Sequence, residues 1–291
     1  MKKIFLFSVL IALAANFLTS CKPDDEIYDP KCRISKIWYR SDVGAADEVY
    51  SYTKKQLSRI DLKDTTYYTF EYNKDQTVSK IVHKGTNYTE AMDMTYTDRL
   101  VDKITYTING AVRLEVTFTR EDEKLQKIST IKEVYDKQFF EDIEFIQKSD
   151  LYHSFMGDVE KIEKVATENN AKNLVLKCNK VITYTGDNIT LIKEEYPDVN
   201  QIITTTLTYD LESYNPFFGL PYSYRDLAGY SVNNKTKEVS ITRTSGFISR
   251  SVTKNYQYQD YLNDDKYPRR FITTSSENNV PINTYITYVK K

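Results

Sequence analysis

Apolar and polar residues alternate along most of this chain. Tyr68, Phe70 and Tyr72, for example, are separated by Thr69 and Glu71. A period of two places the rings on one face of a β-strand and the polar side chains on the other. The pattern therefore predicts a succession of half-buried strands.

The alternation is organised into a repeat. Each copy has an apolar-x-aromatic stretch, a polar turn and then an apolar-x-basic-isoleucine stretch, although the last copy has Leu191 at its basic position. The five copies span residues 50–60, 70–81, 94–104, 116–128 and 182–192. The closing isoleucines of the first four lie 21, 23 and 24 residues apart. A short period of this kind is typical of stacked supersecondary units, and each copy predicts one β-hairpin.

The spacing inside each copy predicts an irregularity. The first apolar residue and the closing isoleucine, such as Val78 and Ile81, are three positions apart. A regular strand would turn two such residues to opposite faces. We therefore expect a β-bulge or a turn end at the first apolar position. No proline lies between Lys31 and Tyr196, which favours an uninterrupted hydrogen-bonded ladder.

One segment, residues 139–171, interrupts the repeat. Val159, Ile162 and Val165 have a spacing compatible with a helix, so we expect a short helix near 150–166, with a long loop as the alternative. The predicted fold is all-β and mainly antiparallel: an extended meander of hairpins that forms a large twisted sheet with one short helical insertion.

The N-terminal segment has the order of a secretory signal. Lys2 and Lys3 precede an apolar run over residues 4–17, which is too short for a comfortable membrane span. Small residues follow, and the site consists of Leu18, Thr19, Ser20 and Cys21. These four residues resemble the lipobox of bacterial lipoproteins. The resemblance implies cleavage between Ser20 and Cys21, a diacylglycerol thioether on Cys21 and a fatty acyl chain such as palmitate on its new amino group. An ordinary signal peptide with a chance cysteine is the alternative.

An acidic segment follows Cys21. It contains Lys22, Asp24, Asp25 and Glu26, and it resembles the export signal of Bacteroidetes-type surface lipoproteins. That resemblance implies an outer-membrane lipoprotein on the cell surface. The alternatives are a plain solvated tether and a protein on the periplasmic face. The chain then divides into a signal peptide over 1–20, an acidic tether over 21–31 and one large β-repeat domain over 32–291.

The repeat units themselves resemble a known type. Their Tyr-x-Tyr, turn and aliphatic-x-basic-Ile order is similar to the YD-type repeats of bacterial surface and toxin-shell proteins. Together with the lipobox and the Tyr-Asp and Asn-Pro-Phe motifs at 209–217, the order resembles uncharacterised lipoproteins of gut Bacteroidetes, a domain of unknown function. This resemblance implies no catalytic residue.

Charge and cysteine content narrow the function classes. Removal of residues 1–20, which hold two lysines and no acid, leaves 38 basic against 41 acidic residues and a net charge of −3. A nucleic-acid binder would show a basic excess, so we expect no nucleic-acid partner. Besides Cys21, the chain has Cys32 and Cys178. These two residues form either a disulfide or two independent buried thiols.

Catalytic and metal-binding patterns are weak. The two histidines, His83 and His153, have no neighbouring cysteine, and we expect His83 on the surface. No two glycines lie closer than ten residues apart, so a phosphate-binding loop is excluded. Carboxylate pairs occur at 141–142, 194–195 and 264–265, but adjacent residues of a strand face opposite ways. We therefore predict no enzyme activity and no cofactor.

The remaining function is binding. We expect a non-catalytic surface module with a glycan or protein ligand, because flat aromatic rings stack on sugar faces. The competing interpretation for each ring is packing in the core. The candidate rings are Trp38, Tyr67, Tyr68, Tyr106, Tyr256 and Tyr258. The alternative functions are a scaffold in an envelope complex and a carboxylate-dependent glycan hydrolase.

Overall fold

The computed structural model describes most of the chain from Cys32 onward. The described residues are 32–41, 43–98, 100–121, 124–135, 146, 149, 151, 174–220, 231–262 and 266–290. They form sixteen strands: β1 Cys32–Tyr39, β2 Glu48–Thr53, β3 Gln56–Leu62, β4 Tyr67–Tyr72, β5 Val78–Lys84, β6 Thr89–Thr97, β7 Leu100–Ile108, β8 Ala111–Glu121, β9 Lys124–Tyr135, β10 Leu174–Thr185, β11 Asn188–Tyr196, β12 Gln201–Tyr214, β13 Asn233–Thr244, β14 Phe247–Leu262, β15 Tyr267–Ser275 and β16 Asn278–Lys290. A 3-10 turn, Pro197–Val199, joins β11 to β12.

Every strand pairs antiparallel with the strands before and after it, so the predicted all-β meander is confirmed. The sheet also closes on itself, because β1 pairs with β16 as well as with β2. Ile37 and Ile286 face each other across this seam, and both are buried. The sequence pattern predicted a twisted sheet without closure, since alternation within each strand does not specify that the two ends of the meander meet.

The predicted bulges are present. In β5, Glu71 pairs with Lys80 and Tyr72 pairs with Val78, so Ser79 is an extra residue without a partner in the ladder. Val78 and Ile81 therefore face the same side, and both are buried. The same register shift occurs in each of the other four copies, where the extra residue again follows the first apolar position.

Tyrosine hydroxyls connect one repeat to the next. Tyr72 donates to the carbonyl oxygen of Leu57 at 2.7 Å. Tyr209 donates to Ile189 at 2.6 Å. Each carbonyl belongs to the residue just before a bulge. The phenol thus brings an aromatic ring into the core while its hydroxyl pairs with a backbone oxygen at the irregular point of the ladder. Burial raises the pKa of Tyr72, and the hydrogen bond to Leu57 partly offsets this effect.

The main core lies on one side of the sheet. It is built mainly from β1–β8, β10 and β11, and it contains the aliphatic pairs of the returning strands β3, β5, β7 and β11. Ile146 and Leu151, which follow β9 in the chain, are fully buried and belong to it. The helix expected near 150–166 lies outside the described residues, except for Leu151. Within the described part of the chain, no helix has the length and apolar character needed to cross a membrane.

Strand direction sets which connections share an end of the closed sheet. Successive antiparallel strands send alternate connections to opposite ends. The start of β1 at Cys32 therefore lies at one end, and the turns at 245–246 and 276–277 lie at the other.

Deleting Ser79 tests the bulge. Without the extra residue, Val78 moves to a position that faces away from the core. We expect the free energy of unfolding to fall by about 2 kcal/mol, the cost of exposing one aliphatic side chain. Denaturant unfolding monitored by circular dichroism measures the change. Ser79→Ala, which keeps the extra residue, is the control and should unfold close to the unmodified chain. Equal stability of the deletion and the control would contradict the proposed role of the bulge.

Candidate ligand-binding wall

On the core-facing side of the sheet, β13–β15 carry charged and aromatic residues where β2–β7 carry mainly aliphatic ones. Residues directly opposite each other in an antiparallel pair share a face, and Leu207, Glu238, Lys254 and Ser275 form one such row across four strands. Leu207 is only 3% exposed, which fixes this side as the core side. Six charged and aromatic residues on this side, which we call the β13–β15 wall, come from β13 and β14: Lys235, Glu238, Arg250, Lys254, Tyr256 and Tyr258. Phe271 of β15 lies opposite Tyr258 on the same side.

Glu238 is the centre of the wall. Its carboxylate accepts from the Lys235 ammonium at 2.7 Å and lies 3.3 Å from the Lys254 ammonium. The Tyr256 hydroxyl donates to the same carboxylate at 3.4 Å. Burial would raise the pKa of Glu238, but Lys235 and then Lys254 outweigh burial and lower the pKa to about 2. Glu238 is therefore a carboxylate at any physiological pH.

The wall is ordered by contacts among its own members. The Lys235 ammonium lies 4.9 Å from the centroid of the Tyr256 ring, within the range of a cation–π contact. Tyr258 donates to the carbonyl oxygen of Lys235 at 2.8 Å, and its ring lies 5.5 Å from that of Phe271. Lys235 is 10% exposed, whereas Lys254 is 43% exposed. Lys235 is thus buried and held by its neighbours, whereas the Lys254 ammonium reaches water.

A second polar group lies deep in the sheet, around His83. Its Nδ1 lies 2.7 Å from the Glu90 carboxylate and its Nε2 lies 3.2 Å from the Thr66 hydroxyl. Tyr106 also donates to Glu90. Because the Thr66 hydroxyl donates to Asp64 at 2.7 Å, its proton points away from the imidazole. The hydroxyl–imidazole–carboxylate series therefore joins the turn before β4 to β5 and β6 instead of activating Thr66, and Tyr106 extends it to β7.

A third polar group joins β10 to β11. The Lys180 ammonium lies 2.7 Å from the Glu194 carboxylate, and Tyr196 donates to Glu194 at 3.1 Å. Burial raises the pKa of Tyr196 well above its usual value, and the neighbouring Glu194 raises it further. Both charged groups are largely buried, so removal of either partner would leave an unpaired buried charge and destabilise the fold.

The expectation for His83 was wrong. The ring is 4% exposed and stacks on Tyr68 with a centroid distance of 4.2 Å. His83 is two residues after Ile81, the closing isoleucine of its repeat, so a period of two places it on the core face. His153 lies outside the described residues.

The six candidate rings do not form one platform. Tyr68 and Tyr106 are buried in the core. Trp38 and Tyr67 follow and precede core residues in their strands and so face the other side of the sheet. Tyr256 and Tyr258 lie two residues apart on the core-facing side of β14, and both are half-exposed. Residue type alone therefore did not predict which rings share a face, because successive residues of a strand point to opposite sides of the sheet.

The disulfide alternative is also wrong, since Cys32 and Cys178 are both buried thiols. β1 and β10 are seven strands apart one way around the closed sheet and nine the other. A disulfide needs Cα atoms within about 7 Å of each other. The two residues instead pack in separate apolar clusters.

The other sequence candidates fall into two groups. The carboxylates Glu194 and Glu195 face opposite sides, since Glu194 pairs with buried Lys180 while Glu195 pairs with the exposed Lys193. The remaining ones lie outside the described residues: Ser20, Cys21, Lys22, Asp24, Asp25, Glu26 and the carboxylate pairs at 141–142 and 264–265. Among the described residues, no group of three or more His, Cys, Asp or Glu side chains is placed to hold a metal ion.

Sequence reasoning did not find Lys235, Glu238 or Lys254. Lys235 and Glu238 lie three residues apart on β13, and a bulge at Thr236 gives them a common face. Lys254 joins them from the next strand. Nothing in the local pattern distinguishes these lysines from the many others in the chain.

No protein-family model matches this sequence, and no curated protein matches it. Among solved structures, the fold is similar to a porin-like protein from Bacteroides vulgatus ATCC 8482, at 12% identity and a TM-score of 0.36, over 89% of this chain and 100% of that one. A porin-like protein from Bacteroides uniformis ATCC 8492 has 11% identity and a TM-score of 0.33, over 89% and 99% of the two chains. TcdB2-TccC3 has 13% identity and a TM-score of 0.36 over 86% of this chain, which spans only 14% of the length of that one.

Acid titration tests the charge arrangement at Glu238. The folded pKa of Glu238 lies below the ordinary glutamate value of 4.5, at about 2, so the ion pairs stabilise the protein above pH 4.5 and lose this effect as pH falls towards 2. We expect Glu238→Gln to make the free energy of unfolding less dependent on pH between 5 and 2.5. Denaturant unfolding at a series of pH values measures the slope. Glu195→Gln, in an exposed ion pair, is the matched control and should leave the slope close to that of the unmodified protein. An unchanged slope in Glu238→Gln would contradict the assignment.

Proposed function

We propose that this chain is a lipid-anchored outer-membrane protein, displayed on the cell surface, whose closed sheet is a non-catalytic binding module for a glycan or protein ligand. The β13–β15 wall is the observation that carries the proposal. It presents ammonium groups, a carboxylate and tyrosine rings on a half-exposed face, where the repeats of β2–β7 present buried aliphatic residues. These are the group types that recognise polar ligands.

The energetics of the wall support a binding role. Ion pairs taken from water add little to stability, because desolvation offsets the attraction between the charges. Aliphatic residues in the same positions would pack as they do at Val78 and Ile81. With Lys235 and Glu238 at these positions, the sheet has polar groups for recognition but packs less tightly than it would with aliphatic residues. Functional sites commonly depart from optimal packing in this way.

The anchor fits the direction of the chain. Cys21 precedes the start of β1 by eleven residues, a span of about 40 Å at most when extended. The end of the sheet at Cys32 then lies towards the membrane, and the tips at 245–246 and 276–277 lie away from it. A scaffold in an envelope complex would use the same anchor, so the anchor does not distinguish a scaffold from a binding module.

A hydrolase is a weaker candidate than a binding module. Glycoside hydrolysis needs two carboxylates that converge on one bond. In the described part of the chain, Glu238 is held by two lysines and Glu90 is buried under Tyr106 and His83. Each carboxylate is thus engaged by its own partners, and the two lie on strands far apart in the sheet, β13 and β6.

Replacing Cys21 by alanine tests the anchor. Since only a thiol forms the lipid thioether, we expect Cys21→Ala to leave the outer-membrane fraction and appear in soluble fractions. Membrane fractionation and protease accessibility on whole cells measure retention and surface display. Cys32→Ala, at a buried thiol of the sheet, is the control and should remain in the membrane fraction. Unchanged retention of Cys21→Ala would contradict the lipid anchor, and protection from external protease would favour the periplasmic face.

Replacing Tyr256 tests the binding wall. We expect the soluble chain that starts at Lys22 to bind members of a glycan array or a surface protein ligand. Tyr256→Ala should weaken this binding about tenfold, or ~1.4 kcal/mol. Tyr67→Ala removes a ring from the opposite face and serves as the control. Equal binding by the Tyr256 and Tyr67 variants would place the ligand elsewhere, and the absence of any ligand would favour the scaffold.

A further inference from the structure

The charges of the β13–β15 wall do not cancel. Three cations, Lys235, Arg250 and Lys254, meet two carboxylates, Glu238 and Glu277. The wall and its immediate partners therefore carry one excess positive charge, whereas the whole chain has a net charge of −1. A local cationic excess on a half-buried face attracts anions more strongly than the same charges do in open water.

The two most exposed cations lie in a line. Arg250 and Lys254 are four residues apart on β14 and face the same side, so their Cα atoms are separated by about 13 Å. They are 38% and 43% exposed. Arg250 pairs with Glu277 and Lys254 pairs with Glu238, and each cation still reaches solvent. A ligand can therefore contact both groups without opening the core.

The surroundings of Glu238 indicate which ligand groups the wall suits. One carboxylate receives two ammonium groups and a phenol hydroxyl, which is the environment that a ligand carboxylate would find there. Next to it, Thr205 and Ser240 bond to each other at 2.7 Å on the same face. Hydroxyl groups and the neighbouring tyrosine rings suit a sugar, because they pair with its hydroxyls and cover its apolar face.

We propose that the β13–β15 wall binds a carboxylate-bearing saccharide, with Lys254 and Arg250 as the cations that receive its carboxylates and Glu238 as a built-in competitor for Lys254. This inference rests on the proposed binding function and specifies its ligand class. Because Glu238 occupies Lys254 in the absence of ligand, the ligand must displace it in part. Removal of the Glu238 charge then strengthens binding, an effect that a purely structural ion pair would not produce.

The test compares two probes on the soluble chain from Lys22, by isothermal titration calorimetry. The acidic probe is a galacturonic acid hexamer, and the neutral probe is maltohexaose. We expect the acidic hexamer to bind at least tenfold more tightly, with an affinity that falls as salt rises. Lys254→Gln should weaken binding of the acidic hexamer at least tenfold, Lys254→Arg should retain it, and Glu238→Gln should strengthen it severalfold.

Lys193→Gln is the matched control, because Lys193 forms an exposed ion pair with Glu195 on the other face of the sheet. It should bind as the unmodified chain does. Circular dichroism checks the fold of each variant, and if Glu238→Gln fails to fold, the Gln and Arg variants of Lys254 decide the result. Equal affinity for both hexamers, or an unchanged affinity in Lys254→Gln, overturns the inference while leaving the binding function in place. If neither hexamer, no member of the glycan array and no surface protein binds, the binding function itself is overturned.

Discussion

The structure depends on keeping two residues that are three positions apart on the same face of a strand. In a regular strand, Val78 and Ile81 would point to opposite sides. One extra residue, Ser79, corrects the face. The same register shift occurs in all five copies of the repeat. The returning strands β3, β5, β7 and β11 thereby bury both of their aliphatic residues in the core. Without it, half of the apolar groups in these positions would face solvent, and the sheet would lack a continuous buried side.

The bulges also explain the abundance of tyrosine. A bulge leaves the ladder irregular, and the phenol of the next repeat donates to a backbone carbonyl beside it, as Tyr72 does to Leu57 and Tyr209 to Ile189. Tyrosine is the residue that can fill the core with a ring and still supply this donor. Repeats therefore depend on their neighbours for packing and for hydrogen bonding, which is why the chain stacks hairpins in order around a closed sheet.

Closure of the sheet allows β13–β15 to carry charged residues on the core side. Strands β2–β7 bury aliphatic pairs, and the sheet is completed by the pairing of β1 with β16. The β13–β15 segment is then held in place by ladders on both sides and does not need an aliphatic core face of its own. Lys235, Glu238 and Lys254 occupy positions that correspond to core positions elsewhere, and their mutual ion pairs compensate for the loss of water. The resulting surface is rigid at its base and exposed at Lys254.

The sequence by itself determined the strands, the hairpin repeat and the bulges, because these follow from periodicities of two and three within short windows. The lipobox resemblance at Cys21 also rests on adjacent residues alone, and it stays a prediction. The tertiary structure alone decided the rest. The meeting of β1 with β16, the separation of Cys32 from Cys178 and the burial of His83 against Tyr68 and Glu90 depend on which strands are neighbours around the sheet. The β13–β15 wall is of the same kind: Glu238 meets Lys254 only through pairing across strands, and residue type alone cannot show which of 40 basic residues will share a face with a buried carboxylate.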